Sequence, residues 1–184
     1  IVIGNNKNGG IAKHAAMLAN GFSDVNKEVC IIVAKDQNEQ LFFDLNENVS
    51  VVSMRNATAD NNSSTKRKIA FKAKILKTVS CLMPKNSEAK RFLNFSVSKI
   101  RNSLLLTETL NKFNNPIIIT LGLDYAINAF YAATGMKCDI LFATKTYAEG
   151  ELGDLDRDIA SVLLKSFSCT VSQTDYTSDY LKKL

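Results

Sequence analysis

The sequence contains no Trp, a single His, two Pro and four Cys. One His and the absence of any Cys-x-x-Cys pair argue against a zinc site, so no metal is expected. Three of the four Cys lie in apolar segments, which predicts reduced core thiols and no disulfide framework. These are Cys30, Cys81, Cys138 and Cys169. No apolar run approaches the about 20 residues that a membrane-spanning helix requires.

The chain of 184 residues is 46% apolar and 22% charged, which is typical of a globular protein. Residues 1–184 are predicted to form one domain, since no linker divides them. The first residues, Ile1 to Gly4, form a short apolar strand without the basic leader of a signal peptide. We therefore expect a cytoplasmic location.

Apolar strand patterns alternate with helical patterns along the whole chain. The predicted strands are 1–3, 28–33, 49–52, 116–120, 138–143 and 168–172. The predicted helices are 11–22, 66–83, 87–113, 123–134, 154–166 and 174–184, with a polar loop at 56–65. The segment 87–113 can be one long helix or two short ones. This alternation favours an α/β fold, a Rossmann-like three-layer sandwich with a mostly parallel sheet of about six strands. A basic helical insertion lies between the third and fourth strands.

The insertion concentrates the positive charge of the chain. Between Lys66 and Arg101 lie 11 Lys or Arg and one acid, Glu88, so this segment carries +10 and the remainder −5. Its first helix is predicted to be amphipathic. Its apolar side comprises Ile69, Phe71, Ala73, Ile75, Leu76, Val79, Leu82 and Met83. Its cations are Lys66, Arg67, Lys68, Lys72, Lys74 and Lys77.

Two interpretations of this helix remain open. It can lie on an anionic membrane surface, which would make the protein peripheral at the inner face of the membrane. It can equally be an ordinary helix packed on the domain with solvated lysines. No nucleic-acid partner is expected, because no aromatic platform interleaves the charges.

A glycine turn follows the first strand and precedes the first helix. Gly9 and Gly10 lie at that junction, where backbone N–H groups and the helix dipole favour a phosphate. The spacing is neither G-x-G-x-x-G nor a P-loop. Ala34-Lys35 directly follow the second strand, and the acid Asp36 comes only after them. From these residues alone, a phosphate cradle and a helix-start turn without ligand both remain open.

Both ends of the chain resemble one enzyme family. The segment from Gly9-Gly10 through Leu18-Ala19-x-Gly21-Phe22 to Glu28-Val29 is similar to the opening of family 4 glycosyltransferases. Ser168-Cys169-Thr170-Val171-Ser172 resembles the strand with a closing Val-Ser near the end of their first domain. Between Val52 and Pro116 the chain resembles nothing familiar.

The resemblance implies the N-terminal, acceptor-side domain of a two-domain GT-B enzyme. Such an enzyme moves a sugar, with retention, from a nucleotide diphosphate sugar to a glycan or lipid-linked acceptor, as in surface polysaccharide, capsule or lipopolysaccharide biosynthesis. Gly9, Gly10 and Lys7 would face the donor diphosphate, and no tightly bound cofactor is implied. The C-terminal donor domain is absent from this chain, so we expect a partner domain and no transferase activity from residues 1–184 alone.

Five further residues are candidates for acceptor or sugar contacts. His14 lies early in the first helix, and Asp124 follows the fourth strand, where an acid also suits a helix N-terminus. Family members often carry a His in the loop after the fifth strand, and this chain has Lys145, Thr146 and Glu149 there. No catalytic residue is assigned. The alternatives are a non-catalytic nucleotide- or partner-binding domain and an NAD enzyme that modifies sugar nucleotides.

Overall fold

A computed structural model describes residues 1–4, 9–34, 41–54, 63–84, 87–144 and 157–183. Its strands are β1 (Val2–Ile3), β2 (Val29–Val33), β3 (Val49–Ser53), β4 (Ile117–Leu121), β5 (Asp139–Ala143) and β6 (Cys169–Val171). Its helices are α1 (Gly10–Asp24), α2 (Ser63–Leu82), α3 (Glu88–Leu110), α4 (Leu123–Ala132), α5 (Arg157–Ser166) and α6 (Asp175–Lys182). Helices cover the sheet on both sides, which confirms the predicted α/β sandwich.

The six strands form one sheet in the order β3-β2-β1-β4-β5-β6, and every described pairing is parallel. Val2 of β1 lies opposite Ile32 of β2 on one side and Thr120 of β4 on the other. The central strands carry apolar side chains on both faces, as buried parallel strands do. The predicted sheet is thus confirmed, and it is wholly rather than mostly parallel.

Alternate side chains of the strands enter two separate cores. On one face, Ile3, Ile31 and Val33 pack against Ala15 and Ala19 of α1. These small residues let α1 lie close to the sheet.

On the other face a larger core contains residues of β1, β2, β4 and β5 together with α3, α4 and α5. Leu106 of α3, Ile127 of α4 and Leu163 of α5 are each at most 1% exposed there. The core that holds the sheet together therefore needs α3, α4 and α5.

Local signals set several helix boundaries. The Ser87 hydroxyl accepts a hydrogen bond from the Lys90 amide at 3.3 Å and caps α3, as a Ser at this position should. After α4, Gly135 has φ of +85°, the left-handed conformation that favours glycine and prevents helix continuation. The predicted loop at 56–65 is wrong at its end, because α2 already begins at Ser63.

Helix α2 forms an outer layer on α3. The buried Ser80 hydroxyl donates to the Asn94 side chain at 2.7 Å, and Ala73, Leu76 and Met83 are half-buried. The apolar side predicted for this helix is covered only in part, because four of its large apolar residues face solvent. The side chain of Ile69 lies outside the described residues. Phe71, Ile75, Val79 and Leu82 are 66%, 45%, 38% and 83% exposed. Across the described ranges, no helix has the length and apolar character to cross a bilayer.

The cysteines are free thiols. Their predicted place in the core is wrong for Cys81 and Cys169, whereas Cys30 and Cys138 pack against the large core. Cys81 and Cys169 are exposed, whereas Cys30 and Cys138 are half-buried. Cys81 lies on the outer helix, and Cys169 lies on the edge strand β6, where alternate side chains face solvent. Burial raises the pKa of the Cys138 thiol, and the Asp139 carboxylate raises it further.

The difference in burial between Leu163 and Leu82 predicts that replacement by Ala lowers the free energy of unfolding by very different amounts at the two positions. Leu163→Ala opens a cavity in the core and should lower the free energy of unfolding by about 2–5 kcal/mol. Leu82→Ala removes the same atoms from an 83% exposed position and should change it by no more than about 0.5 kcal/mol. Urea denaturation of both variants measures the contrast, and equal losses would contradict this assignment of core and surface.

Thiol exposure predicts the order of alkylation. Iodoacetamide should modify Cys81 and Cys169 first, because both are exposed. Cys138 should react at least about tenfold more slowly, since its raised pKa reduces the thiolate fraction and its side chain is partly shielded. Peptide mass spectrometry over a time course identifies the sites. Early modification at Cys138 would refute the assignment.

Candidate anion-binding site at the switch point of the sheet

The chain leaves the two central strands toward opposite faces of the sheet. After β1 it enters α1, which packs on the Ile3 face, and after β4 it enters α4, which packs on the Val2 face. The strand order reverses between β1 and β4. A crevice beyond the carboxyl ends of these strands is the usual ligand position in open α/β sheets.

The N-terminus of α1 lies at this crevice, and among the described residues no capping side chain and no first-turn acid offsets its dipole. Its N-cap is Gly9, which has no side chain, and its first turn contains no acid. The Lys13 amide donates to the Gly9 carbonyl at 3.0 Å, so the helix begins directly at Gly10. The amides of residues 10–12 precede that first intrahelical bond, and they face outward from the start of the helix.

The other helices with a described N-cap are compensated. Ser87 caps α3, and Thr174 caps α6 by accepting from the Thr177 amide at 3.2 Å. Asp175 adds a carboxylate to α6, and Asp124 supplies one to α4, whose N-cap is Gly122. Within this described set, α1 alone lacks both a capping side chain and an acid. Lys13 even places a like charge on its positive end.

The glycine pair is not explained by backbone strain. Gly9 has φ of −165°, an extended value that any residue adopts. Gly10 is helical, and a Cβ added there would meet no atom within 4 Å. The backbone conformation therefore does not require glycine at Gly9. The remaining reason for glycine is open backbone that another molecule can approach closely.

Tyr125 of α4 occupies the crevice between the two strand ends, and sequence reasoning missed it. A Cβ on Gly4, directly after β1, would collide with its phenol oxygen, and one on Gly122, directly after β4, would lie 3.5 Å from its ring. Gly122 also has φ of +121°. The only sequence signal was that both central strands end in glycine. Tyr125 thus forms part of the floor of the crevice.

Asp124 is engaged by a neighbouring helix. Its carboxylate accepts from Lys99 Nζ of α3 at 2.7 Å, and that ammonium lies 5.5 Å from the centre of the Phe95 ring. The Asp124 side chain is 65% exposed, so this pair adds little stability. The interpretation as a helix N-terminal acid fits its position, and the sugar-contact interpretation stays a prediction.

The remaining predicted site residues are only partly placed. His14 is half-buried in the second turn of α1. Arg67, Lys72, Lys74 and Lys77 are exposed on α2. Lys7, Lys145, Thr146 and Glu149 lie outside the described residues, as do the side chains of Lys66 and Lys68.

Thr144 is a second residue that sequence reasoning missed at this edge. It directly follows β5, is 2% exposed, and its amide donates to the Val171 carbonyl at 3.0 Å. Its hydroxyl has no hydrogen-bond partner among the residues that the structure describes. Among the described residues, Asn128 Oδ1 of α4 is the second buried side-chain atom without a hydrogen-bond partner.

A cavity of about 510 Å³ lies at the opposite edge of the sheet. Its lining is mainly apolar and includes Phe22, Val25, Phe113 and Ile117, near the amino ends of the strands. We do not assign it to an anionic ligand, because the uncompensated helix end and both strand-terminal glycines lie at the other edge.

The close contact at Gly4 generates a prediction. Gly4→Ala should lower the free energy of unfolding by about 1–3 kcal/mol, because its methyl group overlaps the phenol oxygen of Tyr125. Tyr125→Phe removes that oxygen, so the double variant should recover part of the loss. Urea denaturation of all four members of the cycle measures this coupling. Additive effects would show that Tyr125 does not lie over Gly4.

Comparison with known proteins finds no matching family model, no similar curated protein and no similar solved structure. The assignment of the fold therefore rests on the sheet topology itself.

Proposed function

We propose that the chain is the acceptor-side domain of a retaining GT-B glycosyltransferase, and that the N-terminus of α1 receives the diphosphate of its nucleotide-sugar donor. The observation that carries this proposal is the uncompensated start of α1 beside β1, at the switch point of an all-parallel sheet. The resemblance of residues 9–29 and 168–172 to family 4 glycosyltransferases supplies the reaction class.

The geometry suits a diphosphate in three respects. The amides of residues 10–12 can donate to phosphate oxygens, and the helix dipole adds about half a unit of positive charge. Lys13, unfavourable for an empty helix start, adds a full charge beside a bound anion. The exposed Gly10 presents no side chain between these amides and solvent.

The contribution of this chain to the reaction would be positioning and charge stabilisation. As the bond from the sugar to the diphosphate breaks, negative charge grows on the leaving oxygen. Fixed amides stabilise that charge without having to reorient, so they favour the transition state over the bound donor. We assign no general base, and the nucleoside and most of the sugar would be held by a second domain.

A dinucleotide enzyme is the main rival, and the second strand argues against it. Dinucleotide sites usually place an acid at the end of the second strand, where it binds the ribose hydroxyls. Here β2 ends at Val33 and is followed by Ala34 and Lys35. The first acid after β2 is Asp36, which follows Lys35 and lies outside the described residues. No acid directly ends the strand, which weakens the rival.

Nuclear magnetic resonance tests the proposed site directly. Titration with uridine diphosphate or inorganic pyrophosphate should shift the amide signals of residues 9–13, with a dissociation constant on the order of millimolar. NAD should bind no more tightly than pyrophosphate. Shifts confined to other regions, or micromolar affinity for NAD, would overturn the proposal.

Gly10→Ala separates stability from binding. The substitution should raise the free energy of unfolding by about 0.4–1 kcal/mol, because Gly10 is helical and its Cβ enters open space. The same methyl group should weaken diphosphate binding severalfold by keeping phosphate oxygens away from the amides. Gly21→Ala, also in open space on α1, is the matched control and should leave binding unchanged. Equal affinities for all three proteins would count against the site.

A further inference from the structure

The outer face of α2 exposes three large apolar side chains to solvent, with exposed Thr78 beside them. At 3.6 residues per turn, Phe71, Ile75 and Leu82 fall within about 40° of one another around the helix. Their exposed fractions are 66%, 45% and 83%. The side that contacts α3, marked by Ala73 and Ser80, lies roughly opposite them. The apolar stripe of Phe71, Ile75 and Leu82 therefore faces away from α3.

Cations border this apolar stripe on both sides. Arg67 and Lys74 lie about 40–60° from Phe71 on one side, and Lys72 lies about 60° beyond Ile75 on the other. All three are exposed, and Lys77 extends the charge further around the helix. Ser63 to Lys85 contains no acid, so no intrahelical ion pair neutralises these charges.

We propose that α2 binds the surface of an anionic lipid bilayer, with Phe71, Ile75 and Leu82 inserted among the lipid chains and the flanking cations at the phosphate level. A helix parallel to a membrane needs an apolar arc flanked by cations. Long lysine and arginine side chains reach the headgroups while their stems cover apolar lipid. The contact with α3 holds the opposite arc, so the stripe is presented without unfolding any described core.

A bilayer accounts for features that a polyanion does not. Nucleic acid would use the cations, but its binding gains little from exposed Leu82 and Ile75, which cannot stack on bases. A protein partner with an apolar groove would use the stripe without needing uncompensated charge on both sides. A membrane surface uses both groups of residues together. This inference stands on α2 alone and does not depend on the proposed glycosyltransferase activity.

The absence of Trp provides a sensitive probe of insertion. Phe71→Trp introduces the only indole in the chain, so its fluorescence reports this position without background. Vesicles of phosphatidylcholine with about one-third phosphatidylglycerol should shift its emission to shorter wavelength, because the indole leaves water. Pure phosphatidylcholine vesicles should give a much smaller shift, and a single-stranded oligonucleotide should give none.

Co-sedimentation with the same anionic vesicles separates the contribution of the cations to membrane binding from that of the apolar stripe. Replacing Arg67, Lys72, Lys74 and Lys77 by Gln should lower the partition coefficient more than a hundredfold, at about fivefold per cation. Replacing Phe71, Ile75 and Leu82 by Gln should also abolish binding while leaving the charge unchanged. A matched control replaces the exposed Lys27, Lys112, Lys137 and Lys165 by Gln and should retain at least a tenth of the original binding. Circular dichroism verifies that each variant is folded.

Two outcomes would overturn the proposal. If the apolar triple variant binds anionic vesicles as well as the parent does, the surface is an electrostatic site without insertion. If the parent chain fails to sediment with anionic vesicles at low salt, α2 does not recognise a bilayer. Neither result bears on diphosphate binding at α1, which the amide shifts of residues 9–13 report separately.

Discussion

Parallel pairing constrains the whole molecule. Two neighbouring parallel strands cannot be joined by a tight hairpin, so each connection must cross a face of the sheet, and helices make most of these crossings. Those helices bury Ile3 and Ile31 on one face and Val2 and Ile32 on the other. The same constraint brings every strand to an end at one edge. The candidate site at that edge is thus a by-product of how the core is closed.

The start of α1 departs from the local rules that the other described helix starts follow. Capping residues or first-turn acids stabilise α3, α4 and α6, whereas α1 has Gly9, Gly10 and a cation at Lys13. Departures of this kind concentrate at functional sites, where a ligand supplies the missing interaction. A bound anion would remove the unfavourable pairing of Lys13 with the helix dipole.

The sheet could be predicted from sequence because its apolar runs are short, β-branched and separated by clear helical patterns. The position of Tyr125 over Gly4 could not be predicted from sequence. It depends on the pairing of β1 with β4, and these two strands are distant from each other in the chain. The two sides of α2 could not be separated either. The helical periodicity places both Leu76 and Leu82 on the apolar side of the helix. Only the position of α3 determines which of the two side chains is covered. Cys81 was misassigned for the same reason.

Helix α2 rests on another helix rather than on the sheet. The crossing from β3 to β4 is made by α3, whose residues Leu105, Leu106 and Leu110 complete the large core. Residues 63–82 can therefore change in length or surface chemistry while the strand order and the switch point stay as they are. Natural selection can adjust which surface the protein meets through α2, independently of the ligand that α1 receives.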